Sequence, residues 1–303
     1  MLFIDGHADT ASELLDGGKA LFKNDLHIDL SRIPKGYTQV FAAYIAKEYY
    51  DEPMARAEAI VGYLKAEIEK NCDRIRLCTN NKERLSVLKD GKTAAFLSLE
   101  GGEPIKSLEG VDKLYNLGIR ISSLTWNYEN QLAGGADTNG RLTAFGEEVV
   151  REFEKKGIIL DLSHLSRESF WDVMKIATKP MLATHSCSDA ICSHRRSLTD
   201  EQFMAICEKD GVVGINFYPE FLTGGRVATV DDILLHIDRF LSLGGEDHIG
   251  LGSDFDGVDY LPTDLSGVES MNMLVRKFEE HGYGSRLIEK ICYANFERIL
   301  SLM

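Results

Sequence analysis

Eight runs of apolar, β-favouring residues recur along the chain, at 2–7, 39–45, 94–99, 119–124, 158–163, 181–184, 212–217 and 248–252. Most are continuous rather than alternating, the pattern of strands covered on both faces, as in a parallel sheet flanked by helices. Between them the apolar positions change to helical spacing, at 54–70, 145–156, 167–177 and 231–243. Two helix starts carry capping-box spacing, Thr199 with Gln202 and Thr229 with Asp232. There the hydroxyl and the later side chain can each satisfy a free amide of the first turn. A short run at 75–78 is a ninth strand candidate, expected within the connection between the second and third strands, and 285–303 is expected to close the chain as helix.

Strands that alternate with helices eight times imply parallel βαβ units. At 303 residues with 44% apolar content, the economical closure is an α/β fold of the (β/α)8 TIM type, with 1–303 as a single domain. No linker, low-complexity segment or repeat divides it. In such a barrel the chemistry gathers where the strands end in loops.

Composition narrows the partners. A net charge of −14 argues against nucleic acid and against an anionic membrane surface, both of which need a basic footprint. No stretch of 18 apolar residues occurs, and the N-terminus lacks the basic, apolar, small-residue order of a leader; a cytoplasmic location is expected. The six cysteines, Cys72, Cys78, Cys187, Cys192, Cys207 and Cys292, form no C-x-x-C pair, so reduced, mostly buried thiols are expected rather than a thiolate zinc site.

Candidate chemistry lies at the ends of the runs. His7 and Asp9 sit two apart; on a strand they would share a face and could converge on one cation, although such a pair also fits an Asx turn beside a hydrogen-bonded histidine. Glu100 in "SLEGG", His164 in "ILDLSH", His185 in "MLATHS" and Asp254 in "GLGSDFDG" follow other apolar runs. Singly, each histidine fits a bonded core position. Together, the His7–Asp9 pair, Glu100, His164 and His185 are five hard or borderline ligands at one rim, which suit one or two zinc-like ions. Five ligands for two ions suggest a shared one, and Glu100 has two oxygens to share. Paired ions can supply a hydroxide and polarise a carbonyl, which indicates hydrolysis. Asp254 is then the expected general base and acid, and Asp256, before Gly257, a turn residue.

These residues resemble the membrane dipeptidase, or renal dipeptidase, family, a branch of the metal-dependent amidohydrolase-like barrels. The likeness spans nearly the whole chain: "DGHAD", "SLEGG", "DLSH", "THS", "SHRRSL" and "GSDFDG" follow the family's motifs in order. The resemblance implies a zinc-dependent dipeptidase with two zinc ions per chain, bridged by a hydroxide. By motif, His7 and Asp9 would hold one ion, His164 and His185 the other, and Glu100 both. Asp254 would carry the proton and Arg196 would bind the substrate's terminal carboxylate. The substrate implied is a small dipeptide, with tolerance of a D-configured C-terminal residue. Two departures concern the substrate. Trp126 in "SSLTWNYEN" stands where many members have a histidine that faces the substrate, and Phe221 lies near a tyrosine position, although Tyr218 remains as a substrate-binding candidate.

Rival readings are another binuclear amidohydrolase, such as a lactonase or deaminase, and a non-catalytic metal-containing binding protein. The first usually opens with H-x-H, and the second has no need of Asp254. A homodimer is compatible with the chain, which does not reveal its oligomeric state.

Overall fold

Each of the eight expected runs forms a strand, and the ninth candidate does too. The computed structural model describes residues 1–303. Its strands are β1 (Phe3–Ala8), β2 (Tyr37–Tyr44), β3 (Ile75–Leu77), β4 (Thr93–Glu100), β5 (Ile119–Ser123), β6 (Ile159–Asp161), β7 (Leu182–Ser186), β8 (Val212–Ile215) and β9 (Ile249–Leu251). All neighbours are parallel. The sheet closes because β1 pairs with both β2 and β9, while β2 pairs with β4 from Thr38↔Ala94 to Tyr44↔Glu100. The result is a closed eight-stranded parallel barrel wrapped by helices, a (β/α)8 fold. β3 stands outside the ring: it pairs with the first residues of β4, below the segment of β4 that meets β5. No helix is long and apolar enough to cross a membrane.

Alternation along the strands builds the interior in layers. Ile4, Val40, Phe96, Ile121, Ile159, Leu182 and Val212 form one buried apolar cluster with Phe296, Ile299 and Leu300. Phe296 comes from the C-terminal helical run and seals the bottom of the barrel. At Gly6 and Gly250 an added Cβ would run into its ring, so the plug requires glycine there. Two residues further along, the same inward parity reaches Ser123, Asp161, Thr184 and Gly214. The larger core, 65 buried residues, includes the layer between barrel and helices.

Local signals are met with small shifts. Thr199 Oγ1 accepts from the Gln202 N–H at 3.3 Å, and Gln202 Oε1 accepts from the Thr199 N–H at 3.0 Å. Asp232 accepts from the Thr229 N–H at 2.8 Å. The C-terminal run is helical but contains a π-helical turn, Lys290–Ala294, between Ser285–Glu289 and Asn295–Leu300.

Candidate metal centre and substrate pocket

His7, Asp9, Glu100, His164, His185 and Asp254 converge, all buried, at the loop end of the barrel. Glu100 divides its two oxygens. Oε1 lies 2.8 Å from His164 Nε2 and 3.9 Å from His185 Nε2, whereas Oε2 lies 3.1 Å from His7 Nε2. Asp9 Oδ2 adds to the second group at 3.5 Å from His7 Nε2. Asp254 Oδ1 faces His7 Nε2 at 3.9 Å, and its Oδ2 accepts from Asn216 Nδ2 at 2.8 Å.

Strand geometry explains the placement only in part. Glu100 and His185 lie within β4 and β7. The expectation that Asp9 shares a strand with His7 is not met: β1 ends at Ala8, and Asp9 is the residue before the helix Thr10–Gly17, at φ −90°. The pair still meets, with His7 Nε2 3.5 Å from Asp9 Oδ2, and the pairing of β1 with β2 shifts register between Asp5 and Ala8. His164 lies past the end of β6 at φ +69°, and Asp254 past β9 at φ +61°. Such left-handed non-glycine backbone costs on the order of 1–3 kcal/mol. At His164 it is held by bonds to its carbonyl from Ala136 N–H at 2.8 Å and Thr125 Oγ1 at 3.1 Å. Asp256, also left-handed, is the expected turn residue, and it ties loops together by accepting from Thr10 Oγ1 and the His27 N–H, both at 2.6 Å.

The ring nitrogens facing away from the centre decide whether the donors suit a metal. Thr184 Oγ1 has one proton and gives it to Asp161 Oδ2 at 2.5 Å; it can therefore only accept from His185 Nδ1 at 2.9 Å. That leaves His185 Nε2 a bare lone pair. His164 Nδ1 faces Asn127 Oδ1 at 2.8 Å, which likewise bares its Nε2. The two Nε2 atoms are 2.8 Å apart with a carboxylate oxygen beside them. Three acceptors at such distances repel unless a cation lies among them. Asp9 Oδ1 is also buried without a partner. Imidazole nitrogens and carboxylates form a zinc-like donor set, so the residues fit the group.

Electrostatics agree. Burial pushes His164 down to about 4, and burial with the His7 and Arg196 charges holds His185 well below the usual histidine range. Both therefore stay neutral, as ligands must be; His7, against its burial, is held well above the usual histidine range by the Glu100 and Asp9 carboxylates, so a metal bound there displaces its proton. Burial and the nearby Glu100 charge raise the Asp9 carboxyl well above its usual range, which is a demand for compensating positive charge.

Above the centre opens a cavity of 510 Å³, bordered by Tyr44, Trp126, Arg196, Tyr218 and Phe221. Arg196 is buried. One NH2 group donates to the His185 carbonyl at 3.2 Å, and Nε has no partner. Arg195, by contrast, is exposed and paired with Asp137 at 3.2 Å. Trp126 is boxed by Tyr44 and Tyr128, each 5.4 Å away between ring centres, and by His164 at 6.2 Å. The Tyr218 N–H donates to Asn216 Oδ1 at 2.6 Å. Asn127, Asp161, Thr184 and Asn216 were not singled out from the sequence. Inward parity on the strands would have found three of them: Asp161 and Thr184 follow the plug residues Ile159 and Leu182 by two, and Asn216 follows Gly214 by two.

The family model described as membrane dipeptidase, peptidase family M19, matches residues 1–303. A metallopeptidase from Rhodobacter sphaeroides, solved with a phosphinate mimic of the dipeptide L-Ala-D-Ala, superposes with a TM-score of 0.94 at 29% identity, covering 99% of this chain and 98% of its own. A second solved dipeptidase of family M19 gives 0.92 at 30% identity, with the same coverage of both chains. An uncharacterised protein in the pqqA 5′ region of Klebsiella pneumoniae is 34% identical over 251 residues, 78% of this chain and 92% of that one. A match along the entire length, together with a histidine and carboxylate centre built to take metal, means that this chain belongs to the membrane dipeptidase family of metallopeptidases.

Proposed function

We propose that the chain hydrolyses the peptide bond of dipeptides, including those whose C-terminal residue is D-configured, with two zinc ions held per chain. The observation that carries this reading is one cavity bordered by both the divided Glu100 centre and a buried guanidinium with a free Nε. A buried cationic donor without a partner is costly until an anion meets it, and the planar fork of arginine matches a carboxylate. A substrate anchored at Arg196 by its terminal carboxylate presents the adjacent peptide bond for cleavage, as an exopeptidase requires. Tolerance of D residues draws support from the Rhodobacter sphaeroides relative and its L-Ala-D-Ala mimic.

His7 and Asp9 would hold one zinc, His164 and His185 the other, and Glu100 both. Zinc in such a pair supplies a water acidified to near neutral pH and polarises the substrate carbonyl. Asp254, anchored by Asn216 on one oxygen, keeps the other free to take a proton and hand it to the leaving amine. Burial raises its pKa above the usual carboxylate range, which eases that transfer at neutral pH.

A dipeptide amidated at its C-terminus should be a poor substrate. Arg196→Ala should narrow the gap in kcat/KM between free and amidated forms by about 10- to 100-fold, because a charge-assisted bond contributes roughly 1.5–3 kcal/mol. An unchanged preference for the free acid contradicts the clamp. Trp126, ringed by aromatic neighbours, acts as a wall. Trp126→Phe should leave kcat within about threefold while shifting kcat/KM between small and bulky dipeptides. A drop of about 10²–10³ in kcat with KM unchanged would instead make its N–H an oxyanion donor.

A further inference from the structure

We propose that Asp161 is a positioning residue for the metal centre, which through the Thr184 hydroxyl fixes the proton of His185 on Nδ1 and so turns the Nε2 lone pair toward the metal. The inference rests on the metal reading above, yet the residues that carry it touch neither substrate nor metal. Asp161 is buried at the end of β6. Its Oδ1 accepts two backbone N–H groups, from Ser163 and Thr184, both at 2.9 Å. Its Oδ2 accepts the Thr184 hydroxyl at 2.5 Å. With no proton left to give, Thr184 Oγ1 receives the His185 Nδ1 proton at 2.9 Å. Direction thus passes from carboxylate to hydroxyl to imidazole. His7 Nδ1 lies 3.5 Å from the same oxygen, too long for a strong bond, so the effect falls on His185. The barrel is narrow at this level: a Cβ at Gly214 or Gly252 would collide with the Thr184 carbonyl, which fixes the threonine backbone in place.

The chain of bonds makes an unusual demand of an isosteric change. In Asp161→Asn the two backbone N–H donors keep the amide oxygen at the Oδ1 position, and the NH2 group must then face Thr184 Oγ1. The hydroxyl is forced to turn its proton to His185 Nδ1. His185 then carries its own proton on Nε2, where a metal ligand must have none. A wrong tautomer held in correct geometry is a severe defect in other histidine relays.

The test is titration of the metal-stripped full-length chain with zinc alone, against a competing chelator, in wild type, Asp161→Asn, Thr184→Val and Thr184→Ser. Partners behind a metal-bound histidine typically contribute about 10- to 100-fold in affinity. One zinc equivalent should weaken by that factor in Thr184→Val and at least as much in Asp161→Asn, with the other within a few-fold of wild type. Thr184→Ser, which keeps the hydroxyl, should restore the affinity. Wild-type zinc affinity in Asp161→Asn overturns the relay, as does equal weakening in Thr184→Ser and Thr184→Val. If Thr184→Val does not fold, Asp161→Asn and Thr184→Ser decide alone. A wild type that binds no zinc overturns the metal reading itself, a result distinct from any variant pattern.

Discussion

Asp254→Asn is expected to retain the metal content of the wild type and to lose about 10²–10⁴ in kcat, the usual contribution of general acid–base catalysis, or roughly 3–5 kcal/mol of barrier. The substitution preserves shape, and an amide oxygen can still accept from Asn216 Nδ2, now 2.8 Å from Asp254 Oδ2. What disappears is the proton-accepting oxygen that faces the centre. Asp254 Oδ1, at 3.9 Å, is farther from His7 Nε2 than Glu100 at 3.1 Å or Asp9 at 3.5 Å, so metal content should survive on the other five residues. Elemental analysis alongside steady-state kinetics checks both halves. Near-normal kcat in a fully metallated variant would hand the proton to water or to another carboxylate.

Glu100→Gln should have the opposite signature, loss of metal first and of turnover as a consequence. The two carboxylate oxygens face different histidines, at 2.8 Å and 3.1 Å. A glutamine can turn its oxygen to one set only, and its NH2 group then points donors at the other. Both halves also lose the anionic charge. Indirect partners of metal ligands already contribute about 10- to 100-fold, so removing a direct, shared ligand should exceed that for at least one equivalent. Retention of two equivalents at wild-type affinity would mean that Glu100 is not shared.

Much of this arrangement is legible from the chain itself, for identifiable reasons. A strand covered on both faces is apolar throughout, so the eight barrel strands and the polar residues that end them stand out. Glu100 is legible because it keeps the inward parity of β4 set by Phe96, whereas His185 follows the inward Thr184 by one residue, where the pairing of β7 with β8 shifts register between Ala183 and Ser186. Asp9, His164 and Asp254 converge from outside the strands, Asp9 at the start of the helix Thr10–Gly17 and the other two at left-handed residues, none of which leaves a periodic trace. The burial of Arg196 was equally hidden, since "SHRRSL" looks like surface charge until the loop folds back and Arg196 meets the His185 carbonyl 3.2 Å away. Asn127, Asp161, Thr184 and Asn216 were missed because each is defined by a partner strand far away in sequence. For Asp161 and Thr184 the signal is relational, a polar residue one inward step above the apolar plug residues Ile159 and Leu182; Asn216 lies one step further and Asn127 in a loop, where no parity applies.

The most direct measurement is the release of free amino acids from a dipeptide panel containing L,L and L,D pairs, by metal-stripped protein titrated with zinc. The account predicts no turnover without metal, activity rising to a plateau at two zinc equivalents per chain, and little activity on the corresponding amidated dipeptides. Full activity at one equivalent, or in the stripped protein, would contradict it.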